Sequence, residues 1–273
     1  MSDNKKLQEE QVNAAFSKQS PIFDQIDEQN QLILWIRNRV QQEVMQHIPP
    51  AAHLLELNCG TGIDALFFAS QGIRVKATDN APGMISELKR KVDQKGLQDQ
   101  VSVQRCSFNE LEQLGSDTQY DYVFSNFGGL NCTKRLDKVL HDVDRLLKPG
   151  GRCTLVIMPR ICLWEMGMVF KGYFRTAFRR LRPGGTNAKV EGLPFQCYYY
   201  SPSYITKHLG SSFRLIALKG LSVTVPPPFI EHFCERHPGL FRRLEKLENK
   251  LWDKAPFNRW GDHFMITMEK RKS

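Results

Sequence analysis

From residue 53 to about residue 158 the chain alternates short apolar runs with stretches of helical period, and this alternation limits the fold more than any other feature. HLLELN (53–58), IRVKATD (73–79), QVSVQRC (100–106), YDYVFSN (120–126) and RCTLVIM (152–158) read as strands. Helical patterns fill 62–71, 81–95 and 134–147, the last stopped by Lys148-Pro149-Gly150-Gly151. Parallel strands need a crossover, and helical crossovers cover both faces of the sheet they serve. The expected fold class is therefore α/β with a mostly parallel sheet. FRLIALKG (213–220) and HFMITMEK (263–270) add two strands, and the second lacks a crossover of the earlier type, which points to an antiparallel strand. Residues 5–47 read as mainly helical, with a break at Ser20-Pro21. Two segments, 159–200 and 221–260, stand outside the alternation.

The first strand and the first crossover helix meet in LLELNCGTGIDALFFA (54–69), where Gly60 and Gly62 follow Glu56 closely. A glycine turn there lets a ligand lie against the backbone under a helix N-terminus. A dinucleotide and S-adenosylmethionine both fit that arrangement. Gly60-x-Gly62-x-x-Ala65 is a passable dinucleotide fingerprint, but Glu56 would then face a dianionic pyrophosphate. The ammonium and sulfonium of S-adenosylmethionine suit a nearby carboxylate instead. Asp79, ending the second strand, can accept both ribose hydroxyls of either ligand. It can equally cap the helix beginning at Ala81-Pro82, and the two roles are compatible.

ELNCGTG, ATDNAPGM, CSFNEL, YDYVFSNFGGLN and LLKPGGRCTLVI, in that order over roughly residues 50–160, resemble the motifs of class I S-adenosylmethionine-dependent methyltransferases. The resemblance implies a Rossmann-like seven-stranded sheet whose last strand is antiparallel, with helical lid insertions. It also implies cofactor contacts at Glu56, Asn58, Cys59, Gly60, Gly62, Asp79, Asn80, Met84, Ser107, Phe108, Ser125 and Asn126. Asn58 stands where the family usually has glycine, and asparagine tolerates the left-handed backbone this loop asks for. Ser107 replaces the aspartate that meets the adenine edge in many relatives, a weaker acceptor. Met84 matches the apolar residue packed on adenine, and a core role is an equal alternative. FSKQSPIFDQID (16–27) is similar to the "F…YD" lid of small-molecule and quinone-type methyltransferases, with Phe23 in place of tyrosine; a helix packed on the sheet edge is the other reading. The implied organisation is an N-terminal helical lid (1–50), a cofactor-binding core (51–158), a basic amphipathic insert acting as substrate lid (159–200), and the end of the core (201–273) with its own insert at 221–260.

Net charge is +9, yet residues 159–190 hold seven Lys or Arg against Glu165 alone and supply most of it. Basicity thus belongs to one segment. In ICLWEMGMVFKGYFRTAFRRLR (161–182) a helical spacing puts Leu163, Met166, Phe170, Phe174, Ala177, Phe178 and Leu181 on one face and Lys171, Arg175, Arg179 and Arg182 on another. Such a helix can pack as a lid, make transient contact with a membrane surface, or receive an anionic substrate group or nucleic acid. Nucleic acid is unlikely as a partner, because SNFGG stands where base-amine methyltransferases resemble NPPY or DPPY, and no Pro-Cys motif of cytosine-C5 enzymes occurs. A small, apolar or lipid-like organic acceptor is the expectation. The polar N-terminus is unlike a signal peptide, no apolar run approaches the roughly 18 residues of a membrane span, and seven cysteines without a CxxC pair point to a reducing, cytoplasmic setting. The chain is expected to be monomeric or weakly associating.

Both inserts leave the sheet at the carboxyl ends of strands, where ligands bind in open α/β sheets, so both are expected over the cofactor as a substrate chamber. Methyl transfer to a hydroxyl needs a proton acceptor. His263, opening the last strand, with Asp262 beside it, is the first candidate base; a strand-end histidine bonded to backbone is the alternative. Phe23, Asn131, Tyr198, Tyr200 and His232 are candidate substrate contacts. His232 and His237 around Cys234 make a poor metal site for want of a fourth ligand, and no metal is expected. The rival functions are a nicotinamide-dependent oxidoreductase and a methyltransferase-like binding protein without turnover.

Overall fold

Seven strands with buried apolar interiors build one sheet in the computed structural model, which describes residues 2–115 and 118–272. Three helices come first: α1 (Ser2–Gln19), α2 (Phe23–Gln29) and α3 (Gln31–His47). The break at Ser20-Pro21 is a single 3-10 turn, Ser20–Ile22. Alternation follows through β1 (His53–Leu57), α4 (Ile63–Ser70), β2 (Arg74–Asp79), α5 (Pro82–Lys95), β3 (Val101–Arg105), β4 (Tyr120–Ser125), α6 (Leu136–Leu146) and β5 (Leu147–Ile157). Helix ends obey local chemistry. Pro82 starts α5, where its missing N–H costs nothing, and Gly96 ends it at φ 63°. In α6, Leu136, Val139, Leu140, Val143 and Leu146 form the stripe that a 3.6 period predicts, and all five are fully buried.

The sheet order is β3-β2-β1-β4-β5-β9-β8, where β8 is Phe213–Leu221 and β9 is His263–Lys270. Only β9 runs antiparallel to its neighbours, Ile157 pairing with Phe264 and Leu221 with His263. A polar ladder crosses the buried sheet from Tyr122 through Thr154 (2.6 Å) to Thr267 (2.7 Å), so each hydroxyl there has a partner. Strand order reverses between β1, which pairs with β2, and β4, which pairs with β1 on its other side. That switch point is where open α/β sheets leave a crevice at their carboxyl ends.

The remaining elements are α7 (Leu163–Met166), α8 (Phe174–Ala177), the hairpin β6 (Thr186–Val190) with β7 (Leu193–Cys197), α9 (Pro202–Leu209), α10 (Phe233–Arg236) and α11 (Pro238–Leu251). They correct two expectations. Residues 161–182 do not form one amphipathic helix: Gly172 takes φ 78° after a 3-10 turn, and the chain folds into two short helices. The supposed apolar face is accordingly split, Ala177 being buried while Phe170, Phe174, Phe178 and Leu181 are exposed. Nor does 221–260 cover the switch point. Glu248 of α11 accepts the backbone N–H groups of Val223, Thr224 and Val225 at 2.6–3.1 Å, and Trp35 of α3 donates to Glu245 at 2.7 Å, so this insert packs along α3. Its Val225 and Cys234 form a small apolar cluster with Leu32 of α3.

Candidate functional site

A cavity of about 330 Å³ opens at the carboxyl ends of β1 to β4, and its roof is the N-terminal helical segment. Val12, Phe16, Phe23, Ile26 and Ile33 line it from above; Glu56, Asn58, Cys59, Gly60, Asp79, Asn80, Met84, Ser107, Phe108 and Asn126 line it from the sheet side. The inserts at 159–200 and 221–260 contribute nothing to its wall among the described residues. The hairpin β6–β7 instead braces the roof from outside: Phe16 and Phe195 rings lie 5.9 Å apart, and Lys18 donates to the Glu191 carbonyl at 3.1 Å.

The glycine turn has the shape its sequence asks for. Asn58, Gly60 and Gly62 take φ 48°, 56° and 82°. Asn58 is locked in that conformation by its side chain, which donates to the Asn126 carbonyl (3.1 Å) and accepts from Ser125 (2.6 Å). A Cβ on Gly62 would lie 2.1 Å from Leu88 Cδ1, so this glycine serves helix packing, and it does not line the cavity. Gly60 faces the cavity toward Phe23.

The electrostatics are one-sided. Among the described residues, Glu9, Asp27, Glu56, Asp64 and Asp79 line the cavity against a single cation, Arg37. Glu56 is 2 % exposed and its Oε2 has no hydrogen-bond partner among the described residues. Burial, reinforced by Asp64, pushes its pKa well above the usual carboxylate range. Asp79 accepts from Gly60 N (3.0 Å) and Ala81 N (2.8 Å), which ties the turn to the start of α5. Burial raises its pKa and these N–H groups partly offset that rise. Arg37 pairs with Asp27 and Asp64, and the two carboxylates outweigh its burial and hold its pKa above the ordinary value. Asp64 also accepts from Gln41 (2.7 Å) and Asn126 (2.9 Å). The residues present fit a cationic nucleoside: an orphaned buried carboxylate oxygen awaits a donor, and a pyrophosphate would meet excess negative charge.

Several predicted site residues lie elsewhere. His263 and Asp262 do not line the cavity. Asp262 has His263 Nδ1 at 3.0 Å and is bonded by the buried Arg180 at 2.6 Å; together the His263 ring and the Arg180 guanidinium outweigh burial and hold its pKa well below the usual carboxylate range. The His263 ring packs instead behind the cavity wall, edge-on to Phe127 with centroids 6.2 Å apart. Cys162, Glu165 and Asp262 cluster closely enough to suit a metal, but Arg180 already supplies their positive charge, bonding Glu165 at 2.7 Å. Asn131 is fully buried as a backbone clamp, joining Met158 N (2.9 Å) and the Tyr198 carbonyl (2.6 Å). Tyr200 donates to the Thr133 carbonyl, and Tyr198 to Gln8 at 3.3 Å, outside the cavity. His232 is exposed beside Glu235. Ser125 reaches the site only through Asn58.

Sequence reasoning passed over Arg37, Asp64, Asp27 and Phe127. A signal existed for Arg37 and Gln41, which sit on the apolar face of α3 beside Ile36, Val40 and Val44, where a charge demands partners. Phe127 gave none: its φ of 47°, unusual for a bulky residue, comes from the turn after β4.

Residues 54–151 match the family described as methyltransferase domain. The demethylmenaquinone methyltransferase of Listeria welshimeri is 28% identical over 172 residues, covering 61% of this chain and 70% of that protein. Among solved structures, the Burkholderia thailandensis 1,6-didemethyltoxoflavin-N1-methyltransferase, determined with 1,6-didemethyltoxoflavin and S-adenosylhomocysteine, superposes with TM-score 0.58 at 15% identity, covering 96% of this chain and 88% of that one. The CcbJ methyltransferase of Streptomyces caelestis gives 0.56 at 15%, covering 86% and 88%. With the motif order, the antiparallel seventh strand and an acidic cavity at the switch point, these matches support a class I S-adenosylmethionine-dependent methyltransferase.

Proposed function

We propose that the methyl acceptor is a small, apolar, lipid-like organic molecule received beneath the N-terminal roof. The observation that carries this reading is the roof itself, which turns Val12, Phe16, Phe23, Ile26 and Ile33 into the cavity. The Listeria relative, named for demethylmenaquinone, supports an acceptor of that class. In this reading Asp79 accepts the ribose hydroxyls, Met84, Ser107 and Phe108 surround adenine, and Glu56 takes the ammonium. Asn58, Cys59, Gly60, Asn80 and Asn126 complete the cofactor's bed. Phe23 lies across Gly60 at 3.9 Å from the position a Cβ would take and separates cofactor from acceptor.

Bound S-adenosylmethionine supplies a methyl carbon activated by positive sulfur. The chain's part is alignment and exclusion of water, which can carry much of the rate of an in-line displacement. No histidine lines the cavity among the described residues, so proton removal from a hydroxyl acceptor falls to a carboxylate, Glu9 or Asp27, and burial raises the pKa of Asp27. The test is transfer of a radiolabelled methyl group to a panel of detergent-dispersed quinols, phenols and polar amines. Labelling of the apolar members is expected. Labelling of the polar amines alone would overturn the acceptor class, and tight cofactor binding with no labelled product would favour a binding protein.

A further inference from the structure

We propose that the loop from Arg160 to Leu181 is a docking surface for an anionic lipid bilayer. Phe170 is 94% exposed, Phe174 60% and Tyr173 58%, and Phe178 and Leu181 are exposed beside them. Large apolar side chains rarely stand in water together, and a contiguous group of them marks a surface that meets something apolar. The loop is folded on itself rather than loose: Tyr173 N donates to Met168 O (3.1 Å) and Ala177 N to Tyr173 O (3.0 Å). It is also fixed to the core. Arg180 is buried and bonds Glu165 and both the side chain and the carbonyl of Asp262, next to the start of β9.

Charge selects the occupant. Glu165, the one acid between residues 159 and 190, is 1% exposed and consumed by Arg179 and Arg180. Its burial leaves Arg160, Lys171, Arg175, Arg182 and Lys189 as the exposed charges of the segment, all positive. Aromatic side chains interleaved with unopposed cations match the boundary of an anionic leaflet, where rings enter the acyl border and cations meet phosphates. The loop leaves β5 at the sheet end that holds the cavity, and His263, beside its anchor, packs on the cavity residue Phe127. Docking there would bring the cavity to the phase in which a lipid-like acceptor resides; this purpose, though not the docking, rests on the acceptor reading above.

Co-sedimentation with vesicles of phosphatidylglycerol and of phosphatidylcholine tests it. The full chain should sediment with the anionic vesicles, weakly with the zwitterionic ones, and be released by salt. The pair Lys171→Glu and Arg175→Glu should weaken binding by roughly 30-fold or more. The pair Phe170→Ser and Phe174→Ser should weaken it by roughly tenfold. Both pairs are exposed, so S-adenosylhomocysteine affinity by calorimetry should match that of the unaltered chain. Vesicle binding that neither pair diminishes, or absence of binding by the unaltered chain, would overturn the proposal. So would a dimer in sedimentation velocity that Phe170→Ser and Phe174→Ser disperse, since the surface would then join two copies. Turnover of a detergent-dispersed apolar acceptor separates the two readings: the variants keep it if only docking is lost. Failure of the unaltered chain in that assay removes the acceptor class and leaves vesicle binding as measured.

Discussion

Replacing Glu56 with glutamine keeps shape and removes charge at the centre of the cavity floor. In the ligand-free protein the carboxylate is 2 % exposed, Oε2 has no partner among the described residues, and Asp64 repels it. Burial raises its pKa, so the folded state binds a proton here more readily than the unfolded chain does. The sign follows: stability from this group is present at acid pH and is lost as pH rises from the ordinary carboxylate range through the raised value. Glu56→Gln should therefore leave the free protein as stable or more stable near neutral pH, by thermal melting. Cofactor binding should move the opposite way. A hydrogen bond to a charged group contributes about 1.5–3 kcal/mol, so losing the ammonium partner should raise the dissociation constant about tenfold to about a hundredfold. Calorimetry with S-adenosylmethionine in buffers of different ionisation enthalpy should show proton release on binding by the unaltered chain, because the ligand's cation favours the ionised carboxylate. The variant should release fewer protons, and its affinity should change less as pH falls. Affinity within twofold of the unaltered chain, with unchanged proton release, would refute the argument.

Asp79→Ala should weaken cofactor binding by about 1–3 kcal/mol and also lower the melting temperature, since Gly60 N and Ala81 N lose their acceptor; unaltered calorimetric affinity would remove the ribose role. His263→Ala should lower stability through the gap behind Phe127 and the loss of a partner for Asp262, while the pH profile of kcat keeps its limbs; disappearance of a limb near neutral pH would restore His263 as a base. Gly62→Ala should destabilise by about 1–3 kcal/mol through overpacking, read from denaturant unfolding, because the new Cβ meets Leu88 in a left-handed backbone; a neutral result would show that α5 can shift.

Legibility followed the range of the interactions. Each strand and crossover helix carries its own period, so β1 to β5 and α4 to α6 could be placed from neighbouring residues alone, and the turn at Gly60 and Gly62 signals itself. Asn58 was readable because its tolerance of left-handed backbone is intrinsic. What escaped depends on distant partners. Helical spacing in 161–182 looked continuous, but Gly172 and the buried pairing of Arg180 with Asp262, 82 residues away, set the path of the chain. Strand direction alone points insert 221–260 toward the chamber, whereas Glu248 draws it to the backbone after β8. The histidine at the head of β9 stands at the correct sheet end and behind the wrong wall, a distinction that only packing against Phe127 makes.

The roof has a kinetic corollary. It is one unbroken stretch of chain that joins α3 through Asn30, whose side chain caps that helix at Leu32 and Ile33 and grips the Pro228 carbonyl. Asp24 fastens the stretch to Thr61 and Lys91 beside the glycine turn. Spent nucleoside can thus depart when Asp24 and the other ties of this stretch, at Lys18 and Asp27 among them, let go and it swings about Asn30, with the sheet at rest. The pace of successive turnovers would then be governed by a door and not by the chemistry behind it.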